Sequence, residues 1–273
     1  MSFIIGIDAG SSATKIIGMN AEKHLYLPPL RMDAVDGAGF FGAALDKYLD
    51  RSGVLKDEVS LISMTGGRAD GAGAEIDGKP VKRVKEFDAL AAGALEFSGQ
   101  ERGVVANIGT GACFVYAEKG KSAVHIGGSG IGGGTLVGLC SRLAFVDRID
   151  DITSMAESGD LANVDISIAD MSLGDLKSLD PKMTLSNFGK TGDGATSADL
   201  VLGAINLVLQ SVGTLALFAC RSVNCETVIV TGGLAELPQA KDNFENFEKI
   251  YGKKFIRCGL PAFVTAAGTI LCN

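Results

Sequence analysis

The 273-residue sequence predicts an α/β protein whose two halves begin alike. Three observations carry that expectation: a strand-turn-strand unit that recurs 99 residues on, two later strands that each end in Thr-Gly-Gly, and 37 glycines with no Gly-X-Y period. The first unit opens the chain. Ile5 and Ile7 alternate with Gly6 and Asp8, Gly10 breaks the run and Thr14 to Ile17 resumes it, the pattern of a hairpin with a polar tip. Helical spacing follows at Phe40 to Tyr48, then a strand at Val59 to Met64 ending in Thr65-Gly66-Gly67, then an Ala/Leu-rich helix from about Phe87 to Phe97. The second unit begins near Gly103: Val104 to Ile108, a Gly109-Thr110-Gly111 turn and Ala112 to Tyr116, so that Asp8-Ala9-Gly10 falls on Asn107-Ile108-Gly109. A short strand at Val124 to Ile126, a glycine loop at Gly127 to Gly134 and helices to about Gly159 come next. An uncharged helix at Leu200 to Cys220 precedes a strand at Thr227 to Val230 that ends in Thr231-Gly232-Gly233. Strands alternating with helices define the α/β class. The duplication implies two lobes, 1–99 and 100–273, facing each other across a nucleotide cleft.

Composition narrows the function. Hydrophobic residues make up 47% and charged residues 21%, with mean hydropathy +0.27, which excludes a disordered chain. A net charge of −7 argues against nucleic acid or an anionic membrane as the main partner, the only basic cluster being the short Lys79 to Lys85 segment. Six cysteines without a CxxC pair, and an N-terminus without the order of a signal peptide, read as reduced, buried thiols in a cytoplasmic protein. Leu200 to Cys220 is long enough to span a bilayer. Asn206, Gln210, Ser211 and Thr214 recur through it, however, and no aromatic or basic anchors close it, so the expectation is a helix buried between layers or subunits.

The first hairpin has the chemistry of a phosphate site. Asp8 arrives at the tip of a strand, and Gly10 allows a turn tight enough for the N–H groups from Gly10 to Ala13 to converge on an anion. Ser11, Ser12 and Thr14 add hydroxyls and Lys15 a cation. A carboxylate is repelled from phosphate unless a metal intervenes, so Asp8 reads as a Mg²⁺ anchor, directly or through water. Two other phosphate motifs fail. Phe188-Gly189-Lys190-Thr191 resembles the end of a P-loop, but Thr184 stands where that pattern requires glycine. Gly128, Gly130 and Gly133 satisfy G-x-G-x-x-G without an acidic residue closing a clear following strand. Glu86 opens the Ala/Leu helix, where it serves either the helix dipole or, placed ~3 Å from a hydroxyl, as a general base; Asp88 reads as a helix-start residue. With His24 and His125 the only histidines, a histidine metal site or triad is excluded.

Taken in order, IGIDAGSSATK, TGG, KEFDALAAGA, ANIGTGACF, IGGSGIGGGTLVGL, MAESGDLANVDI, SNFGK and LPAFVTAAGTIL resemble the type II (eukaryote-like) pantothenate kinases over nearly the whole chain. That family belongs to the acetate/sugar kinase, actin and heat-shock chaperone superfamily, so the resemblance implies duplicated ribonuclease H-like, actin-like ATPase lobes. It implies ATP-dependent phosphorylation of pantothenate to 4′-phosphopantothenate, the first step of coenzyme A biosynthesis, by a homodimer. On the matching motifs, Asp8, Ala9, Gly10, Ser11, Ser12, Ala13, Thr14 and Lys15 form the first ATP-phosphate loop, with Asp8 on Mg²⁺. Gly109, Thr110 and Gly111 form the second, Gly133, Gly134, Thr135, Leu136 and Val137 lie along the nucleotide, and Gly232 and Gly233 flank the adenosine. Glu86 falls on the catalytic base. Thr110, Cys113 and His125 fall on the acceptor side, where the family carries serine at the position of Cys113 and arginine at that of His125. A neutral histidine does not reproduce a guanidinium clamp on a carboxylate. A kinase of a different, pantetheine-like acceptor, or a non-catalytic nucleotide or acyl-CoA binder, is therefore the alternative, with Lys121 and Arg142 as candidates to replace the arginine.

Overall fold

The protein is described from a computed structural model covering residues 2–20, 26–35, 39–170, 181, 183–190, 192 and 194–273. His24, and Thr191 of the P-loop look-alike, lie outside the described residues. The first half comprises β1 (Phe3–Ala9), β2 (Ala13–Asn20), β3 (Leu30–Asp33), α1 (Phe40–Ser52), β4 (Val59–Thr65), β5 (Glu75–Ile76), β6 (Lys79–Arg83) and α2 (Glu86–Ser98). The second comprises β7 (Arg102–Ile108), β8 (Ala112–Glu118), β9 (Val124–Ser129), α3 (Gly133–Leu143), α4 (Ile149–Ala156), β10 (Ile166–Ser167), β11 (Thr184–Ser186), α5 (Ser197–Ser222), β12 (Thr227–Thr231), α6 (Pro238–Tyr251), β13 (Lys254–Arg257) and α7 (Val264–Leu271).

The duplication read from the sequence is a duplication of topology. The first sheet runs β3-β2-β1-β4-β6-β5 and the second β9-β8-β7-β12-β13. In both, the opening three strands form an antiparallel meander and two later strands, β4 and β6 or β12 and β13, add in parallel on the far side of the first, with β5 antiparallel at the edge of the first sheet. One boundary differs from expectation. β9 extends through Gly127 and Gly128 to Ser129, because these glycines pair with Phe114 and Cys113 across a bulge, and the loop proper is shorter than the glycine run.

Each sheet is covered on both faces, which explains why β1 and β7 are buried almost throughout and do not alternate cleanly. One face of the first sheet packs Ile5, Ile7 and Ile16 on Leu45, Tyr48 and Leu49 of α1. Its other face packs Ile17 and Met19 on Ala266, Ala267 and Ile270 of α7, a helix from the opposite end of the chain. The second sheet is built reciprocally. Val104, Ala106 and Ile108 meet α5 and α3, while Val105, Val115 and Ala117 meet Leu90, Ala91 and Ala94 of α2. The two halves thus exchange their last helices, and α2 and α7 cross between the lobes.

That crossing depends on missing side chains. A Cβ on Gly268 would stand 1.7 Å from the Ala89 carbonyl oxygen, and one on Gly93 would stand 2.1 Å from that of Val264. Ser63 and Thr269 lock α7 to β4 reciprocally, each hydroxyl donating to the other residue's carbonyl at 2.8 and 2.9 Å.

α5 is 26 residues long and, by length and hydropathy alone, could cross a membrane. Its apolar side is spent on the second sheet: Val201, Ala204, Ile205, Val208, Val212 and Ala216 are buried there, so the uncharged stretch is accounted for within one chain. A capping box starts the helix, with Thr196 accepting from the Asp199 N–H and the Asp199 carboxylate accepting from that of Thr196 at 2.8 Å. Backbone donors from Asp160 and Thr196 hold the Asp199 carboxyl down at about 2.

Gly268→Ala tests the crossing. Backbone, not a flexible side chain, blocks the new methyl, so urea unfolding should show a loss of roughly 3 kcal/mol or more, and a variant as stable as the parent would show that the helices do not depend on this contact.

Candidate active site between the lobes

The two hairpin tips meet. Ser12 Oγ lies 2.7 Å from Thr110 Oγ1, and Ser11 Oγ lies 3.3 Å from the same atom. Behind each tip, strand register places a row of side chains across one face of the sheet. In the first lobe the row is Arg31, Lys15, Asp8 and Thr65; in the second it is Gly128, Cys113, Asn107 and Thr231. The Thr-Gly-Gly ends complete the symmetry. Gly66 and Gly232 both adopt positive φ (99° and 91°), and a Cβ on either would stand 2.5 or 2.4 Å from the backbone of the matching residues Ala9 and Ile108. Each strand end therefore tucks under its own hairpin as only glycine can.

Asp8 is buried, and its Oδ2 accepts from Lys15 Nζ at 3.1 Å. Glu86, the first residue of α2, faces this pair. Although the residue is open to the cleft, crowding of its carboxyl and the neighbouring Asp8 charge raise its pKa above the ordinary value, with Lys15 pulling the other way. The same carboxylate acts on Cys113: burial first and Glu86 second push that thiol up to about 11, against a hydrogen bond with Asn107. Cys113 is thus a neutral thiol at physiological pH. Beside it, His125 stacks flat on Phe87, the residue after Glu86, with ring centroids 4.6 Å apart and planes 6° from parallel. Asp88 is structural: its Oδ1 accepts from the Ala123 N–H at 2.9 Å and ties α2 to the turn before β9.

The second hairpin rests on α3. Gly133 N–H donates to the Gly109 carbonyl at 2.7 Å and Gly134 N–H to that of Thr110 at 2.8 Å, aiming a helix N-terminus at the space above the tips. Several expected residues can offer only backbone there. Ala9, Ala13 and Leu136 are buried, and Thr14 is fully buried because it points to the opposite face of β2 from Lys15; its hydroxyl is no cleft donor. Val137 is half-buried against the core, and Thr135 Oγ1 caps α3 locally by donating to the Gly130 carbonyl. Of the candidates to replace the missing arginine, Lys121 pairs with Glu118 at 2.7 Å, and Arg142 donates to the Gly138 carbonyl within its own helix.

Sequence reasoning missed Arg31 and Phe87. Arg31 lies on β3, a four-residue strand without a recognisable pattern, and only register brings it beside Lys15; Phe87 reads as core until α2 is placed. A cavity of about 590 Å³ lies behind α2; its lining includes Asp88 and Leu95 but not Asp8, Lys15, Glu86 or Thr110. Among the described residues no three His, Cys, Asp or Glu side chains gather as a metal cage. One buried carboxylate beside hydroxyls fits an ion that takes its remaining ligands from water and phosphate, as Mg²⁺ does.

Two lobes of this topology on a shared cleft have the fold of actin-like ATPases and ROK kinases. Solved structures agree: component A of the (R)-2-hydroxyglutaryl-CoA dehydratase of Acidaminococcus fermentans has a TM-score of 0.68 at 17% identity, covering 100% of this chain and 97% of that one. A ROK family glucokinase from Streptomyces griseus, in complex with glucose and AMPPNP, has 0.61 at 13%, covering 99% of each chain. Sequence narrows the class. The Fumble family matches residues 103–254, and the type II pantothenate kinase of Bacillus thuringiensis is 30% identical over 243 residues, 85% of this chain and 83% of that protein. That of Oceanobacillus iheyensis is 28% identical over 239 residues, covering 84% and 83%. The chain belongs to the type II pantothenate kinase family.

The coupling of Glu86 to its neighbours is measurable by carbon NMR of labelled carboxyls. Glu86 should titrate above 4.5, move further up in Lys15→Met, which removes the stabilising cation, and move down in Asp8→Asn, which removes the repelling anion. A titration that neither change moves would place Glu86 out of reach of both.

Proposed function

We propose that the protein transfers the γ-phosphoryl group of ATP to the primary alcohol of pantothenate, giving 4′-phosphopantothenate and ADP. The observation that carries the mechanism is the position of Glu86: a carboxylate of raised pKa opposite the converged hairpins, in a chain of this family. Glu86 takes the hydroxyl proton as the alcohol oxygen attacks the γ-phosphorus, and the bond to the β–γ bridging oxygen breaks with its electrons going to ADP. Phosphoryl transfer asks mainly for positioning and charge neutralisation. Ser11, Ser12 and the Gly10 to Ala13 N–H groups hold the phosphates from the first lobe. Thr110, Gly109 and Gly111 hold them from the second; α3 lies along the nucleotide from Gly133 to Val137, its Gly133 and Gly134 N–H groups bracing the Thr110 tip, and Gly232 and Gly233 stand at the adenosine. Asp8 would hold Mg²⁺, which neutralises phosphate charge when bound, while Lys15 supplies a fixed cation beside it.

Cys113 and His125 line the acceptor side. A second reading, an uncharged pantetheine-like alcohol as acceptor, is favoured by these two residues alone: a neutral thiol and a ring stacked on Phe87 offer an acceptor carboxylate no fixed charge. A cytoplasmic protein without membrane or nucleic-acid partner completes the proposal, supported by the net charge of −7 and the free, mostly buried thiols, and the homodimer is what the family resemblance implies.

ATP consumption by the purified protein should depend on added pantothenate. Glu86→Gln should lower turnover by about 10²-fold or more and leave ADP affinity unchanged; full turnover in that variant would remove Glu86 from the role of base. The rate should fall as pH drops through the raised Glu86 pKa, because only the ionised carboxylate accepts the proton. An acceptor panel separates the readings, activity on pantetheine without activity on pantothenate favouring the second.

A further inference from the structure

We infer that Arg31 anchors the phosphate adjoining the nucleoside and, through it, holds the two lobes together on the nucleotide. The inference rests on the proposed seating of ATP in the cleft and goes beyond it by assigning a residue from a third strand.

The cleft has two distinguishable ends. At one end the start of α2 stands against β8 and β9, where Phe87 meets His125. At the other end β3 stands against the turn after β12. There Arg31 Nη1 lies 3.9 Å from where a Cβ of Gly233 would stand, so the side chain reaches from the first lobe to the backbone of the second.

Charge sorts the cations. Lys15 is already paired with Asp8. Arg31 is exposed, and among the described residues it makes no hydrogen bond or ion pair, even though Asp33 lies two residues on along the same face of β3. Arg31 is thus an uncommitted cation in the row that contains Asp8, one strand spacing (~4.8 Å) beyond Lys15 and away from Glu86. In a chain of net charge −7 a polyanion needs such local charge to enter and stay.

The order of these groups sets the register of the ligand. The reacting phosphate belongs at the Glu86 end, so the phosphate that reaches Arg31 is the one nearest the nucleoside. A guanidinium suits this place better than an ammonium, because its planar fork can grip two phosphate oxygens at once. Gly233 leaves room for the guanidinium, and a ligand held between Arg31 and the Gly232-Gly233 turn touches both lobes.

Calorimetric binding of ADP, AMP and adenosine to the wild type and to Arg31→Ala tests this, with a thermal melt confirming that the exposed substitution leaves the fold intact. ADP and AMP affinity should both fall about tenfold or more and adenosine affinity should stay the same. KM for ATP should rise by the same factor with a smaller fall in kcat, and Arg31→Lys should recover part of the loss. ADP affinity within twofold of wild type would overturn the assignment, as would loss confined to ATP, which would put Arg31 at the terminal phosphate. Because binding needs no acceptor, wild-type protein that binds ADP but transfers nothing to pantothenate would overturn the proposed reaction and leave Arg31 in place.

Discussion

The contact on which the rest depends is the crossing of α2 and α7. Each helix covers the sheet of the other half, and they approach closely enough that Gly93 and Gly268 must lack side chains. The consequence for chemistry is direct, because Glu86 is the first residue of α2. A base on a loop would move with one lobe. This one is carried by a helix packed on the second sheet and pinned through α7 to the first, so its distance from Asp8 and Lys15 on one side and Cys113 on the other is set by the core.

Duplication supplied the scaffold, and divergence divided the labour. The two rows occupy matching strand positions, yet the first carries Arg31, Lys15 and Asp8 while the second carries Gly128, Cys113 and Asn107. Charge therefore comes from one lobe. The other contributes hydroxyl, backbone N–H groups and a helix N-terminus, which bind phosphate oxygens without adding a counter-charge that Asp8 would have to share. Equal rows of carboxylates would repel one another across the cleft, and equal rows of lysines would leave nothing to hold a divalent cation.

How much of this was legible in the sequence follows from which interactions are local. The hairpins, the Thr-Gly-Gly ends, the start of α2 and the duplicated order were readable because turns, strand alternation and glycine positions are properties of short segments. The exchange of α2 and α7 was not, since an apolar helix face does not say which sheet it covers. Thr14 was misread as a cleft donor because the turn before it hides the strand phase that sends Lys15 one way and Thr14 the other. β9 outlasted its predicted end because pairing with β8 recruits glycines that in isolation read as loop. Arg31 needed register, which is a relation between three strands and has no signature in any one of them.

The acceptor end follows from the same arithmetic of charge. Glu86 and Asp8 make that side negative, and burial, with the Glu86 charge beside it, keeps Cys113 protonated. An acceptor carboxylate brought here must find a cation. Lys15 is paired with Asp8, whereas Lys85, the residue before Glu86, is exposed, and the His125 ring has its face occupied by Phe87 and is otherwise exposed. Glu86 must be ionised to act as base, so an acidic acceptor is drawn to this end only by a cation that offsets the Glu86 and Asp8 charges. An uncharged acceptor meets no such opposition.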